Sequence, residues 1–510
     1  MQRFKSWDEI EKTIEGGPTK AERKLIERLR SAEDLVSNTE RDLSTDVTWS
    51  EVIAGKYDDR HIRATALKAI LLNFRYDPSD LQTLRIESCF ISGPLDLSHQ
   101  IDLPSFHVRN CVFEKGFSAE RSTWHRSLSM IDCRFPFLNA EALDIKGSLN
   151  LARSRFTTTD QPALNLQRGK VGESVKLNRV VCANTAKLNG LKVGFQLNCR
   201  KASFCGTVNP ALNLQNARIM GGLVFRDLRK VEGRVVLAGA YARALADDTT
   251  SWPEIVVLNG FTYDRISKGS KDAQTRLEWL SGGDSWNGEF LPQPYRQLAK
   301  VLDDMGHEAD AREVLYVLEK KLGAERRKAL CQEIETLRDT SPVLGRRIVK
   351  YLLLGADHAI DWLQRVTVGY GRKPFRSIGV LAGLILTFWM LTLAAWHTGG
   401  FAPNSSIVLT SPDWATYDTR SIRPTPRNPA DHWSETTIPG RDWESFSAIA
   451  YAADVVIPII DFGQTDAWAP STTRGPAGVI LWWARWIFTL FGWIVTALGA
   501  AALTGIIRRE

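Results

Sequence analysis

The chain has 510 residues, of which 44% are hydrophobic and 24% charged, and a formal net charge of +7 at pH 7. That length suits two or three domains, and the composition is typical of ordinary globular folds. The seven cysteines lie between Cys89 and Cys331 and lack zinc-site spacing. We therefore expect no metal site, no disulfide framework and no cofactor.

The first 84 residues are predicted to form a helical cap. Residues 1–30 carry charges throughout and have no apolar stretch like that of a signal peptide. We therefore expect the polar part of the chain to stay in the reducing cytosol.

A weak repeat runs through residues 85–265. It is marked by cysteines 22 residues apart and then by leucines at steps of 21, 24 and 24, namely Cys89, Cys111, Cys133, Leu143, Leu164, Leu188 and Leu212. Short alternating runs such as GGLVF (221–225) indicate half-buried strands. Short strands in a repeat of 21–24 residues predict one coil of a right-handed β-helix, a solenoid in which like residues stack. The cysteines would then be structural.

Residues 266–340 are predicted to form a helical hairpin region. Helical patterns run from Pro294 to Gly306 and from Ala309 to about Leu330, with a turn at Met305-Gly306-His307. Helices on both flanks are expected to cap the open ends of the solenoid, where strand edges would otherwise be unpaired.

The segment 341–375 is basic and leads directly into an apolar region. A basic balance fits either nucleic acid or an anionic membrane surface as partner. Its position favours the membrane surface, with Arg372, Lys373 and Arg376 nearest the interface.

Residues 376–510 contain two apolar stretches, 377–396 and 477–507, each long enough to cross a hydrocarbon core of ~30 Å. Between them, residues 397–475 contain no lysine and nine acids against five arginines. The positive-inside rule therefore predicts that the N-terminal domain and the C-terminus are cytoplasmic. Three tryptophans suit an interfacial aromatic belt: Trp482, Trp483 and Trp486.

A third apolar segment, too short to span, lies between these stretches. A helix over about 442–456 would reach ~20 Å, and Pro458 should end it. Residues 459–464 would then be extended backbone at membrane depth, which is tolerated only when it is buried in protein or lines water. Span, half-helix, extended turn, span is the order of a pore-loop channel.

Residues 376–508 resemble the two-span, pore-loop subunits of tetrameric cation channels. The whole chain resembles bacterial membrane proteins that join a pentapeptide-like β-helix to such a pore, with AADVVIPIIDFGQ (452–464) in the filter position. The resemblance implies a homotetramer in the bacterial inner membrane, with permeant ions passing a filter formed by Ile459, Ile460, Asp461, Phe462, Gly463 and Gln464.

The pentapeptide TVGYG (367–371) spells a potassium-filter signature. It precedes the first apolar stretch, whereas a filter comes after a pore helix between spans. We predict a turn there.

Asp454 and Asp461 are the acids of the short segment. An intramembrane carboxylate is a functional hypothesis by default, and four copies of Asp461 would form a cation-attracting ring. Alternatively, Asp454 binds backbone or tryptophan N–H groups, and Asp461 lies in a solvated outer mouth. Arg485 pairs with one of them or extends to the interface. Gly492 and Gly499 are hinge candidates.

The sequence supports three classes of function to different degrees. The first is a channel gated by a nucleotide, an oligonucleotide or a cytosolic protein that binds the solenoid, as would suit an antiphage-defence effector that depolarises the membrane. The second is a membrane-anchored scaffold without conduction. An enzyme is not expected, because the sequence has no P-loop, GxGxxG, HExxH or GxSxG motif and its eight histidines are scattered.

Overall fold

The computed structural model describes residues 6–30, 58–74, 83–206, 209–286, 288–340, 344–417 and 426–505. The chain divides into two compact units, Met1–Leu315 and Tyr316–Glu510. The first unit contains a β-solenoid with helical ends, and the second is mainly helical.

The solenoid is parallel and has about eight turns, as the repeat predicted. One side of each coil belongs to an eight-stranded sheet of His61–Arg63, Phe90–Ser92, Val112–Phe113, Arg134–Phe135, Arg155–Phe156, Val181–Cys182, Ser203–Cys205 and Lys230–Glu232. A second eight-stranded sheet comprises Leu95–Asp96, Phe117–Ser118, Leu138–Asn139, Leu164–Asn165, Ala186–Lys187, Leu212–Asn213, Val235–Val236 and Val256–Val257.

A thirteen-stranded sheet covers the remaining two sides. Its first column contains Thr83–Glu87, Ser105–Arg109, Leu128–Ile131, Leu149–Asn150, Val175–Lys176 and Leu197–Asn198. Its second column contains Thr123–Trp124, Asp144–Ile145, Lys170–Val171 and Lys192–Val193. The longer strands of the last coils extend over both columns: Arg218–Phe225, Tyr241–Asp247 and Thr262–Lys268.

The predicted grouping of leucines is wrong in register. Leu164 pairs with Leu138 and Ala186 in the neighbouring coils, not with Leu143 or Leu188. Paired strands are not evenly spaced along the sequence: Leu164 comes 26 residues after its partner Leu138 but only 22 before its partner Ala186, because extra residues at 157–162 leave the strand path. Leucines at similar sequence steps therefore occupy different corners.

The predicted cysteine stack is confirmed. The backbone N–H of Val112 donates to the carbonyl of Cys89, and that of Arg134 donates to the carbonyl of Cys111. Burial raises the pKa of the Cys111 and Cys133 thiols. Because the thiolate is the reactive form, these thiols are suited to packing rather than chemistry.

A column of glycines lets successive coils approach closely. A Cβ on Gly172 would lie 2.1 Å from the carbonyl oxygen of Lys146, and one on Gly194 would lie 1.8 Å from the carbonyl oxygen of Gly172. Any larger residue there would push the coils apart. Gly221 continues the column.

Helices flank the solenoid, as predicted. On the N-terminal side lie α1 (Trp7–Thr13), α2 (Lys20–Arg30) and α3 (Ala64–Phe74), with a 3₁₀ turn at Asp58–Arg60. Other parts of the predicted 1–84 cap lie outside the described residues. On the C-terminal side are a 3₁₀ turn (Thr249–Ser251), α4 (Ala273–Ser281), a small hairpin (Ser285–Trp286 with Glu289–Phe290) and α5 (Gln293–Asp304).

Helix α5 closes the last coil through amide side chains. Gln293 accepts from the N–H of Gly260 and donates to the carbonyl of Phe261, while Gln297 donates to the carbonyl of Tyr263. These bonds pair backbone groups of the last coil that have no following coil to bind.

Helix α6 (Glu308–Thr340) follows α5 after the predicted turn, in which Gly306 has a φ of +80°; hairpin packing of the two helices stays a prediction. Helix α6 runs ten residues beyond the expected end at about Leu330, because no glycine or proline interrupts that stretch before Pro342.

The second unit continues with α7 (Leu344–Thr367), α8 (Arg376–His397) and several short elements. These are α9 (Ser406–Leu409), α10 (Pro412–Ala415), α11 (Pro429–Thr436), α12 (Ile438–Arg441), α13 (Ala448–Val456) and α14 (Gln464–Ala467), with strand Phe401–Pro403 antiparallel to Trp468–Pro470. The last helix is α15 (Gly475–Leu503). Both α8 and α15 are long and apolar enough to cross a membrane.

Gly221 and Gly222 provide a matched test of coil spacing. A Cβ on Gly221 would lie 2.2 Å from the carbonyl oxygen of Phe195, whereas the nearest atom to one on Gly222 is 3.6 Å away. We expect Gly221→Ala to lower the free energy of unfolding by ~1–3 kcal/mol, and Gly222→Ala to change it little. Thermal unfolding of the full chain in detergent, followed by circular dichroism, checks this; equal midpoints would contradict it.

Candidate functional site

The half-helix between the two apolar helices is α13, and it is shorter than predicted. It begins at Ala448 rather than about residue 442, with Ser447 as its N-cap, and it ends at Val456. The preceding residues are not helical because other bonds hold them. The Trp443 indole donates to the carbonyl of Ala467, and the Trp468 indole donates to the carbonyl of Glu444.

Helix α13 packs against both apolar helices. The rings of Phe388 in α8 and Tyr451 in α13 are stacked with centroids 6.4 Å apart. On the other side, the Thr489 hydroxyl of α15 donates to the carbonyl of Val455 at 3.2 Å. The half-helix therefore has a fixed position between them, and its C-terminal end leads into the loop 457–463.

Asp454 anchors that loop. One carboxylate oxygen accepts from the N–H of Phe462 at 2.6 Å, and the other accepts from the N–H groups of Gln464 at 2.8 Å and Thr465 at 3.3 Å. Charge-assisted bonds to backbone N–H groups are among the stronger hydrogen bonds in proteins. Asp454 therefore binds backbone N–H groups, as in the alternative to a pore-lining role.

Gln464 ties the end of the loop to the start of α13. Its side chain is buried, accepts from the N–H of Ser447 at 2.9 Å and donates to the carbonyl of Ser445 at 3.0 Å. The sequence predicted an extended backbone at Gln464, but this residue opens α14 instead. Gly463 precedes it with a φ of +76°, a left-handed conformation that favours glycine.

The tip of the loop is exposed. Ile459 is 80% exposed, and Ile460 and Phe462 are also exposed. Asp461 lies at the surface, and its carboxylate accepts from the N–H of Gly463 at 2.8 Å in a local turn. Pro458 lies two residues beyond the end of α13, where its ring prevents the helix from continuing.

An aromatic cluster packs the residues before and after α13 against the end of α8. Trp396 at the end of α8 stacks on Phe446 with centroids 3.8 Å apart, and Phe401 meets Tyr451 edge to face at 5.2 Å. Trp468 lies against Trp396 as well. Sequence reasoning missed this cluster and the roles of Ser447 and Gln464. Only the serine before an apolar helix was a readable signal.

Arg485 forms no ion pair with Asp454 or Asp461, all three of which are described residues. Its guanidinium lies 5.1 Å from the ring centroid of Trp486 and 5.6 Å from that of Trp482. Trp483 and Trp486 are exposed. An interfacial belt remains a prediction for these tryptophans.

The two hinge candidates lie at close contacts inside one continuous helix. A Cβ on Gly492 would lie 1.9 Å from the carbonyl oxygen of Val456, and one on Gly499 would lie 2.7 Å from the hydroxyl of Ser377. Both glycines therefore have a packing reason to be small.

The TVGYG pentapeptide is a turn between α7 and α8, as predicted. The N–H groups of Val368 and Tyr370 both donate to the carbonyl of Gln364. Beyond it, the Lys373 ammonium and the Arg376 guanidinium lie over the ring of Tyr316, at 4.8 and 5.8 Å. Arg372 closes the turn through its N–H, which donates to the carbonyl of Gly369.

Removing the Asp454 carboxylate should loosen the loop. In Asp454→Ala, the N–H groups of Phe462, Gln464 and Thr465 lose their acceptor, and each bond to a charged group contributes ~1.5–3 kcal/mol. We expect faster hydrogen exchange over 457–467, measured by mass spectrometry on the detergent-solubilised chain. Asp461→Ala, which removes one acceptor at an exposed position, should have a smaller effect; similar exchange in both variants would contradict the anchor.

Gly492→Ala should separate α15 from α13. The added methyl group cannot fit beside the Val456 carbonyl, whereas Gly383→Ala in α8 adds one where no atom lies within 4 Å. We expect a lower midpoint of thermal unfolding, by tryptophan fluorescence, for Gly492→Ala only. The packing explanation fails if Gly383→Ala lowers the midpoint as much.

Comparison of the chain with protein-family models, with curated proteins and with solved structures finds no match.

Proposed function

We propose that this protein is a membrane ion channel, tetrameric and cation-conducting, in which α8 and α15 span the bilayer. The observation that carries the proposal is the loop 457–463, which Asp454 holds at the C-terminal end of a half-helix between two apolar helices. Non-helical backbone is tolerated at membrane depth where protein buries it or water lines it. A water-lined pore shared by four subunits meets that condition.

The electrostatics of the segment favour cations. The C-terminal end of a helix carries a partial negative charge of roughly half an elementary charge, and α13 ends at the loop. Asp461 adds an exposed carboxylate at its tip. In a tetramer, four such carboxylates and four helix ends would surround the axis. Residues 459–463 would line the filter, and the buried Gln464 would hold the end of this loop to the start of α13.

The solenoid is proposed to be the cytoplasmic sensor. The excess of basic residues before α8 and the lack of lysine between the apolar helices support a cytoplasmic N-terminal domain. A nucleotide, an oligonucleotide or a cytosolic protein that binds the open and closed states differently would gate the pore. A bacterial inner-membrane effector of antiphage defence, which depolarises the cell, would fit this plan by analogy of architecture alone.

Ion flux from liposomes tests the channel. We expect the reconstituted wild type to conduct cations and Asp461→Asn to conduct less, because the variant removes a charge from the pore. Asp466→Asn, an exposed acid in α14 outside the filter positions, is the matched control. Equal loss in both variants would contradict the assignment of Asp461, and a particle that is a monomer or dimer would contradict the channel.

A membrane-anchored scaffold is the second candidate. Large apolar side chains are exposed on the solenoid at Phe195 and Met220, in adjacent coils. Apolar side chains of this size at a surface suit contact with a partner protein. A scaffold would give no flux in the liposome experiment, with or without nucleotides.

A further inference from the structure

We infer that α7 is an interfacial helix, which lies in the plane of the bilayer surface with its apolar side in the lipid headgroup region. This inference rests on the proposal that α8 spans the membrane, and it adds a second, in-plane membrane contact. The α7 apolar face is defined by Ile348, Val349, Leu352, Ile360, Trp362 and Val366.

The α7 apolar face points outward. Leu352, Trp362 and Val366 lie four, fourteen and eighteen positions after Ile348, which places all four on one side of a helix. Leu352 is 68% exposed and Trp362 is 62% exposed. A soluble helix buries such a stripe against its core. Here the stripe remains uncovered by the described residues.

The polar side of α7 is the one that packs on protein. Arg327 of α6 forms ion pairs with Asp357 at 3.4 Å and Asp361 at 3.2 Å, and Lys350 pairs with Glu333 at 2.8 Å. These pairs fix the rotation of the helix, so that its apolar face is directed away from α6. Because the α7 apolar face is directed outward, contact with an apolar environment is more favourable for it than contact with water.

The position of α7 in the chain favours the bilayer over other occupants of its apolar face. The turn 368–375 separates α7 from the start of α8, so the end of α7 lies close to the point where α8 would enter the membrane. Arg365 and Arg376 are exposed around this junction, where cations meet anionic headgroups. Trp362 has the amphipathic ring typical of membrane interfaces.

The turn keeps α7 and α8 in a fixed arrangement. The Tyr370 hydroxyl donates to the carboxylate of Asp361 at 2.8 Å, and burial and this bond raise the pKa of Tyr370. The N–H of Lys373 donates to the carbonyl of Val368 at 3.1 Å. An interfacial α7 would therefore be connected to α8 by a structured turn rather than by a flexible linker.

Spin-label accessibility in vesicles tests the inference. The full chain, in a Cys331→Ala background that removes an exposed thiol, is reconstituted into phosphatidylethanolamine and phosphatidylglycerol vesicles. Labels at Leu352→Cys, at His358→Cys on the polar flank and at Met390→Cys in α8 are compared. Collision with oxygen reports lipid, and collision with a nickel chelate reports water.

We expect the label at 352 to favour oxygen, as the label at 390 does, and the label at 358 to favour nickel. A label at 352 that favours nickel overturns the inference. So does a label at 352 that is shielded from both reagents and coupled to a second label, because a second copy would then cover the face.

The same samples separate this inference from the channel. If the label at 352 favours oxygen and the vesicles show no flux, the interfacial helix stands and the channel fails. If the label at 390 favours nickel, α8 does not lie in lipid, and both proposals fail.

Discussion

Backbone N–H and carbonyl groups must be paired wherever water is excluded, and this constraint organises both units. In the solenoid each coil pairs with the next, so most strands need only two or three residues. At the last coil the side chains of Gln293 and Gln297 replace the missing neighbour. In the second unit the Asp454 carboxylate has the same role. It accepts from backbone N–H groups at the end of the loop 457–463, which have no partner in a strand or helix.

The solenoid could be predicted from sequence because like residues stack in successive coils and therefore recur at regular steps along the chain. The cysteines at equal steps were placed correctly, since three successive coils there have nearly equal length. The leucines were placed incorrectly. Leu164 lies between Leu138 and Ala186 in the stack, because coils of unequal length change the position of each later residue within its coil. Periodicity therefore identified the fold, while register depended on insertions that a single sequence does not distinguish from strands.

The short segment was only partly predictable, for a different reason. Its apolar character and Pro458 placed a half-helix ending near residue 456, which α13 confirms. Sequence reasoning then gave Asp461 precedence over Asp454, because Asp461 falls in the loop. Asp454 accepts hydrogen bonds from backbone N–H groups eight to eleven residues later, and no local sequence pattern indicates these bonds. The role of Asp461 stays a prediction. The non-helical approach to Ala448 likewise depends on indole bonds to distant carbonyls.

The turn at TVGYG connects these features. A filter signature there has the wrong neighbours, and its residues instead end α7: two N–H groups share the carbonyl of Gln364. Because the Tyr370 hydroxyl also binds Asp361, which pairs with Arg327, the end of α7 is tied to α6 on one side and to α8 on the other. A rotation of α7 would break these bonds or move α8 with it. In the proposed channel, this junction would couple a movement of α7 to α8, as a gating signal requires.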